Sequence, residues 1–479
     1  MKKSYISIFL ASTLATSSFA NDINQEMYKQ IQLLKKKIEA LEKKVESKNK
    51  KSIDDEKRVA KLEKNVKRNS KKIQRVKAHD ANDNIKWDVD FRTQVDNLNY
   101  RLANGKRLKN EAVMSNRLEL GMKFKADDNS LFYGTLSYNK LFGENLHTNN
   151  NANFDWVTNE SATSDNTLNV KEAYWLYKND SFLGNDDISW TASVGRRPST
   201  DGLGINYRAD QRRKSALAHT VNVEFDGASA RFNLGKVTGM TGSWAKICAG
   251  RGLTNAKLRF ANGVDYSKDS STENIDMAGL IYVPYDDGQY SIHTNYAKAW
   301  NVIGYQDANS DGNLDTNEQS FKEFGNIELA TIMFKTWGIG NGINDFLDDT
   351  TLFASFAMSK TNPKAGMSML GENESKTGHS IWIGANMPCP ISDDARVGVE
   401  WNKGSKYWRS MTYAEDTMAG SKIAARGTAW EVYRHQKLTD ALSFTLRYTN
   451  IDYDYTGSNG FFGDFGAPST PTGEAVKEA

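Results

Sequence analysis

Ile85-Lys86-Trp87-Asp88-Val89-Asp90-Phe91 alternates apolar and polar side chains without a break. The same two-residue period returns at Arg117-Leu118-Glu119-Leu120-Gly121-Met122-Lys123-Phe124. It returns again at Leu442-Ser443-Phe444-Thr445-Leu446-Arg447-Tyr448. A period of two is that of a strand with one apolar and one polar face. Repeated over about 400 residues with no apolar run of ~20, it excludes membrane-spanning helices and fits a transmembrane β-barrel wall, apolar outside and polar inside.

Working outward, sixteen candidate strands follow: 85–95, 113–125, 131–141, 168–178, 188–196, 219–226, 228–235, 253–260, 275–285, 289–300, 324–337, 350–359, 378–387, 394–402, 422–434 and 441–455. Asp226-Gly227 and Asp286-Asp287-Gly288 read as tight hairpin turns. Long connections are expected at 142–167, 197–218, 301–323, 360–377 and 403–421, alternating with short ones. The rhythm breaks between 236 and 274, so at least one strand there is missed or invented. The expected fold class is all-β: an antiparallel transmembrane β-barrel of about 16 strands (range 14–18), preceded by a helical coiled coil.

Upstream, Lys2 and Lys3 precede an apolar core from Ile6 to Leu14 and the small residues of Ser18-Phe19-Ala20. This reads as an export signal cleaved after Ala20, the alternative being a short anchor, for which the core is too brief. The domain organisation expected is 1–20 signal peptide, 21–80 periplasmic coiled-coil arm, and 81–479 outer-membrane barrel with a C-terminal tail.

Within the arm, Ile31, Leu34, Ile38, Leu41 and Val45 hold the a and d positions of one heptad register, which resumes at Val59, Leu62, Val66, Ile73 and Val76. Polar residues interrupt it at Lys48, Ser52, Asp55 and Asn69. A strict seven-residue repeat favours a coiled coil over a helix lying on a globular core. Lys37 with Glu42, Lys51 with Glu56 and Arg58 with Glu63 would pair between chains in a parallel assembly. A homo-oligomer is expected, a trimer favoured. The alternative is a monomeric charged helix.

The chain has 479 residues and a net charge of +3. That charge is uneven: +9 over 21–80 against −8 over 81–479. The basic arm suits contact with peptidoglycan or lipid head groups, or a simple solvated face. No nucleic-acid partner is expected. Mean hydropathy is −0.64 with 39% hydrophobic residues, which suits a wide, water-lined barrel. Cys248 and Cys389 are the only cysteines. In an oxidising compartment they either pair or stay free.

The segments Gly195-Arg196-Arg197-Pro198-Ser199-Thr200-Asp201-Gly202 and Tyr453-Asp454-Tyr455-Thr456-Gly457-Ser458-Asn459-Gly460 resemble those of a porin-like family of Gram-negative outer-membrane proteins catalogued as of unknown function. The resemblance covers the whole mature chain. It implies a porin-type barrel in the outer membrane with its N-terminal arm in the periplasm, in contact with outer-membrane lipid. One departure is that residues 474–479, Glu-Ala-Val-Lys-Glu-Ala, lack the terminal aromatic of many such barrels, so no strand is expected after 455.

Two constellations carry chemistry. Residues 307–318 match the spacing of a calcium-binding loop. Asp307, Asn309, Asp311, Asn313, Asp315 and Glu318 would supply oxygens around the turn at Gly312. The expected cofactor is a structural Ca²⁺, the alternative a solvated acidic loop. Arg196, Arg197, Arg208, Arg212 and Arg213 form a basic connection. They would line a pore constriction, bind lipid phosphate, or sit on an exposed loop.

Three function classes remain. The first is a porin for passive diffusion of small hydrophilic solutes or ions. The second is a structural protein tethering the membrane to the cell wall through the arm. The third is an outer-membrane hydrolase, for which no GxSxG or comparable motif stands in the sequence. No enzymatic activity is expected.

Overall fold

The computed structural model describes residues 21–46, 65–66, 69–70, 85–143, 168–197, 200–208, 214, 216–257, 259–260, 264–269, 273–309, 321–412 and 418–479. The chain divides into two units, residues 1–83 and 84–479.

In the first unit, helix α1 runs from Asn21 to Glu46. Its Leu33, Leu34 and Ile38 side chains are exposed, and Ile31 is half-buried. Val66 is also exposed. The side chains of Leu41 and Val45 lie outside the described residues, as do Val59, Leu62, Ile73 and Val76.

The second unit is a closed antiparallel barrel of sixteen strands. They are β1 (Ile85–Leu102), β2 (Arg107–Lys125), β3 (Ser130–Leu141), β4 (Leu168–Asn179), β5 (Trp190–Arg197), β6 (Phe225–Asn233), β7 (Trp244–Leu253) and β8 (Ile275–Asp286). They continue with β9 (Tyr290–Gly304), β10 (Lys322–Trp337), β11 (Thr351–Pro363), β12 (Thr377–Pro388), β13 (Ala395–Gly404), β14 (Gly427–Lys437), β15 (Ser443–Tyr453) and β16 (Val476–Glu478). Each strand pairs with its neighbours in sequence, and β16 closes onto β1. Closure satisfies wall backbone groups without leaving open sheet edges along the paired strands.

Burial is inverted relative to a water-soluble fold. Trp87, Val89 and Phe91 are 62–64% exposed on the outer face. Ile332, Phe356, Ile383 and Leu446 are exposed in the same way. Their inward alternates Thr331, Ser355, Ser359, Ser380, Asn402 and Glu431 are at most 5% exposed. Water-soluble proteins rarely expose so continuous an apolar surface, whereas lipid covers it at no cost. No helix among the described residues is long and apolar enough to cross a membrane.

Connections at one barrel end run from three to thirteen residues, among them the tight 126–129, 287–289, 389–394 and 438–442. Their geometry is local. At 286–288, Asp287 Oδ1 accepts from the Tyr290 amide at 2.6 Å, and Gly288 takes φ +92°, which only glycine adopts freely. At the other end connections run to more than twenty residues, including 198–224, 405–426 and 454–475. β1 starts at the short-turn end.

Several expected elements are corrected. Residues 219–226 alternate like a strand, yet only Phe225 and Asp226 enter β6. The rest is an extended segment inside the barrel, bridged at Val221 to Met411. Its alternation matches a lumen with its own apolar patches rather than lipid. Asp226-Gly227 is no turn: it lies within β6, with Gly227 paired to Gly195 and Gly250. A Cβ at Gly227 would fall 2.1 Å from the Ala249 carbonyl oxygen, so close backbone approach explains this glycine. Residues 253–260 join β7 only at Leu253, and β7 instead occupies 244–253. There small residues on both faces blur the two-residue period. β14 begins at Gly427 rather than 422.

A last strand also exists. Val476 pairs with Leu102, and Glu478 with Arg101 and Asp452. Arg101–Glu478 and Lys477–Asp452 ion pairs, each 3.0 Å, reinforce it. With three residues it is too short for periodicity to register. The total of sixteen therefore arises from two invented strands and two missed ones.

Candidate pore and its in-folded loops

Segments 200–208, 216–225, 405–412, 418–426 and 454–466 fold into the barrel and pack on its inner wall. One apolar cluster joins Val221, Val223 and Phe225 to Ile327, Leu329 and Phe462. Another joins Leu203, Ile205 and Leu217 to Phe353, Trp382 and Ile423. The loop backbone passes so close to Trp382 that a Cβ on Gly204 would lie 2.1 Å from the indole. Gly204 has φ +105°, so both sterics and backbone require glycine there.

Polar contacts fix the same segment. His219 Nδ1 lies 2.8 Å from Ser355 Oγ and Nε2 lies 3.0 Å from Ser380 Oγ. The edges of Trp382 and Trp408 flank the ring, each centroid 5.6 Å away. Complete burial pushes the His219 pKa down to about 3, so the ring stays neutral at ordinary pH. Thr220 Oγ1 meets Thr331 Oγ1 at 2.7 Å and accepts from Asn295 Nδ2 at 3.2 Å.

A charged cluster adds the strongest anchor. Glu400 on β13 and Glu431 on β14 are register partners, so two carboxylates face the lumen side by side. Like charges directly opposite each other repel. Two of the in-folded loops each answer with a cation: Arg208 Nε lies 3.0 Å from Glu431 and Nη2 3.4 Å from Glu400. Lys422 Nζ lies 2.6 Å from Glu400 and 3.1 Å from Glu431. Trp382 Nε1 donates to Glu400 at 3.0 Å and Thr449 Oγ1 to Glu431 at 2.6 Å. All four charged side chains are at most 4% exposed. A buried arginine ties the second of these loops to the third. Arg426 donates to the carbonyls of Trp408, Thr456 and Gly466, stapling 405–412 and 418–426 to 454–475. Burial pushes its pKa down to about 10.

Along β1, β2 and β4, alternating charges run across strands. Arg117 lies 3.3 Å from Asp90 and 3.5 Å from Glu119, which Lys171 also contacts at 2.8 Å. A bulge in β4 turns both Lys171 and Glu172 inward, where Glu172 meets Lys214 of the loop at 2.6 Å. Lys214 also contacts Asp201 at 3.3 Å.

The residues singled out in the sequence separate. Arg196 pairs with Glu224 at 3.2 Å, Arg208 is spent on the glutamate pair, and Arg197 lies over the Tyr174 ring at 4.3 Å. Arg212 and Arg213 lie outside the described residues. So do Asp311, Asn313, Asp315 and Glu318; of the calcium-type set only Asp307 and Asn309 are described. The Asp307 amide donates to Asp464 Oδ2 at 3.1 Å. Cys248 on β7 and Cys389 in the 389–394 turn are free thiols. Sequence reasoning missed His219, Lys422, Glu400 and Glu431. For the glutamates a signal existed, since each is a charged residue at an inward position of an otherwise apolar alternation.

Among solved structures, the chain is similar to Salmonella typhi OmpF, at 11% identity, with 83% of this chain and 96% of that chain covered and a TM-score of 0.42. It is similar to Pseudomonas putida OprB at 12% identity, 80% and 92% coverage and a TM-score of 0.48. It is likewise similar to an anion-selective porin from Comamonas acidovorans at 11%, 82% and 96%, with a TM-score of 0.42. No curated protein matches the sequence. A family model described as "Protein of unknown function (DUF3373)" matches residues 107–473, from the start of β2 almost to β16, and the chain belongs to that family.

Proposed function

We propose that the protein is an outer-membrane channel for passive diffusion of small hydrophilic solutes or ions and not an enzyme. The observation that carries this reading is the combination of a lipid-suited outer surface with a charged lumen whose loops are fixed by buried ion pairs. A membrane anchor needs the apolar exterior but not an inward charge network. Conductance of the purified, heat-modifiable protein in a planar bilayer tests it. Discrete ion-conducting steps are expected. Correctly folded protein that inserts and never conducts would overturn the reading and leave the tether alternative.

The arm is proposed to project into the periplasm and to drive self-association through its heptad seam, a trimer being favoured. The exposed Leu34 and Ile38 of α1 support a seam still lacking its partner helix. Peptidoglycan contact through its basic surface and a structural Ca²⁺ at 307–318 complete the proposal.

A further inference from the structure

Between the in-folded loop and the wall of β6 to β9 lies a cavity of about 70 Å³. Its space comes from Gly227, Gly250 and Gly279, which place no side chain on the inner wall. Among otherwise small and apolar lining residues stand two cationic ones, Arg197 and Lys246, with the neutral Ser229 and Asn295, and no carboxylate is among the described lining residues. The loop's other described arginines differ: Arg208 is held by two glutamates, as Arg196 at the strand end is held by Glu224. Arg197 instead stacks on Tyr174, and its Nε is buried without a hydrogen-bond partner among the described residues.

A guanidinium held by a ring face keeps its planar fork free for two parallel hydrogen bonds, the geometry that suits oxyanions. A buried donor without an acceptor is costly, and an anion in the cavity relieves that cost. At ~10–15 Å³ per water, the volume holds roughly five to seven water-sized groups, which suits an ion of five heavy atoms rather than a sugar phosphate. We propose that this cavity binds a small inorganic oxyanion of the phosphate class, with Arg197 as its principal partner and Lys246 as a second positive charge. The site rests on the channel reading for access through the lumen.

Calorimetric titration of inorganic phosphate into the folded full-length protein in detergent tests it, with heat-modifiable gel mobility verifying each variant's fold. Arg197→Gln should weaken phosphate binding about tenfold or more. Arg251→Gln, whose exposed partner is Asp276, should leave it unchanged. Cys248 lines the same cavity, so phosphate should slow its reaction with a thiol reagent while leaving Cys389 unaffected. That measurement on the unaltered protein, with Lys246→Gln as second variant, decides the matter if Arg197→Gln does not fold. Equal phosphate binding by Arg197→Gln and the parent, or neither binding heat nor Cys248 protection in the folded parent, would overturn the proposal. A conducting protein with no phosphate binding loses the site and keeps the channel. Phosphate protection in a non-conducting protein does the reverse.

Discussion

Arg208→Met should release the in-folded loop. The parent cluster holds two carboxylates against two loop cations, with Arg447 more distant at 3.8 Å from Glu431. Removing Arg208 leaves Glu400 and Glu431, each 1% exposed, with Lys422 as their one close cation and only the distant, part-exposed Arg447 beside it. Breaking a buried ion pair from one side costs about 3–5 kcal/mol. That moves the ratio of docked to undocked loop by roughly two to three and a half orders of magnitude. The neutral double variant Arg208→Met with Glu431→Gln restores the balance of one carboxylate to one lysine, so it should recover most of the loss. Limited trypsin digestion of the folded protein in detergent reads the population, because Arg212, Arg213 and Lys214 offer cleavage sites within the loop. Faster cleavage in the single variant and near-parental cleavage in the double is the expected pattern. Additive effects, or a single variant cleaved at the parental rate, would refute the view that charge pairing holds the loop.

Acid should loosen the same loop. His219 has a folded pKa below its unfolded value, so its packing contributes fully above about pH 6.5 and is lost as pH falls toward 3; His219→Gln should flatten the acid dependence of cleavage. Leu446→Arg on the lipid face should cost about 2–4 kcal/mol of barrel stability near the bilayer midplane, measured by urea unfolding in vesicles, and parental stability would contradict a lipid-facing Leu446. Replacing Leu34, Leu41 and Leu62 with Asp should lower the native mass by removing d-position contacts, whereas unchanged mass and arm helicity would show that the seam is no interface. Calcium should protect residues 307–318 from proteolysis and Glu318→Gln should abolish that protection; equal cleavage with calcium and with chelator would leave an acidic surface loop.

The barrel class and most of its wall were legible in the residue pattern. Strand alternation is a local property, and lipid outside with water inside demands it at Trp87, Val89 and Phe91 as at Phe444, Leu446 and Tyr448. The 286–288 hairpin was equally legible, because its hydrogen bonds run between neighbours. What fills the lumen emerged only from the folded barrel. Residues 219–226 satisfy the same alternation as a wall strand, and nothing local distinguishes a valine facing lipid from one facing Phe462 across the barrel interior. The pairing of Glu400 with Glu431 and their capture by Arg208 and Lys422 join positions up to 223 residues apart. Charge complementarity at that separation depends on barrel register and loop path, and neither leaves a trace in spacing. The closing strand escaped for a different reason. Three residues at 476–478 carry no period, and their place is fixed by the edges of β1 and β15 that need a partner.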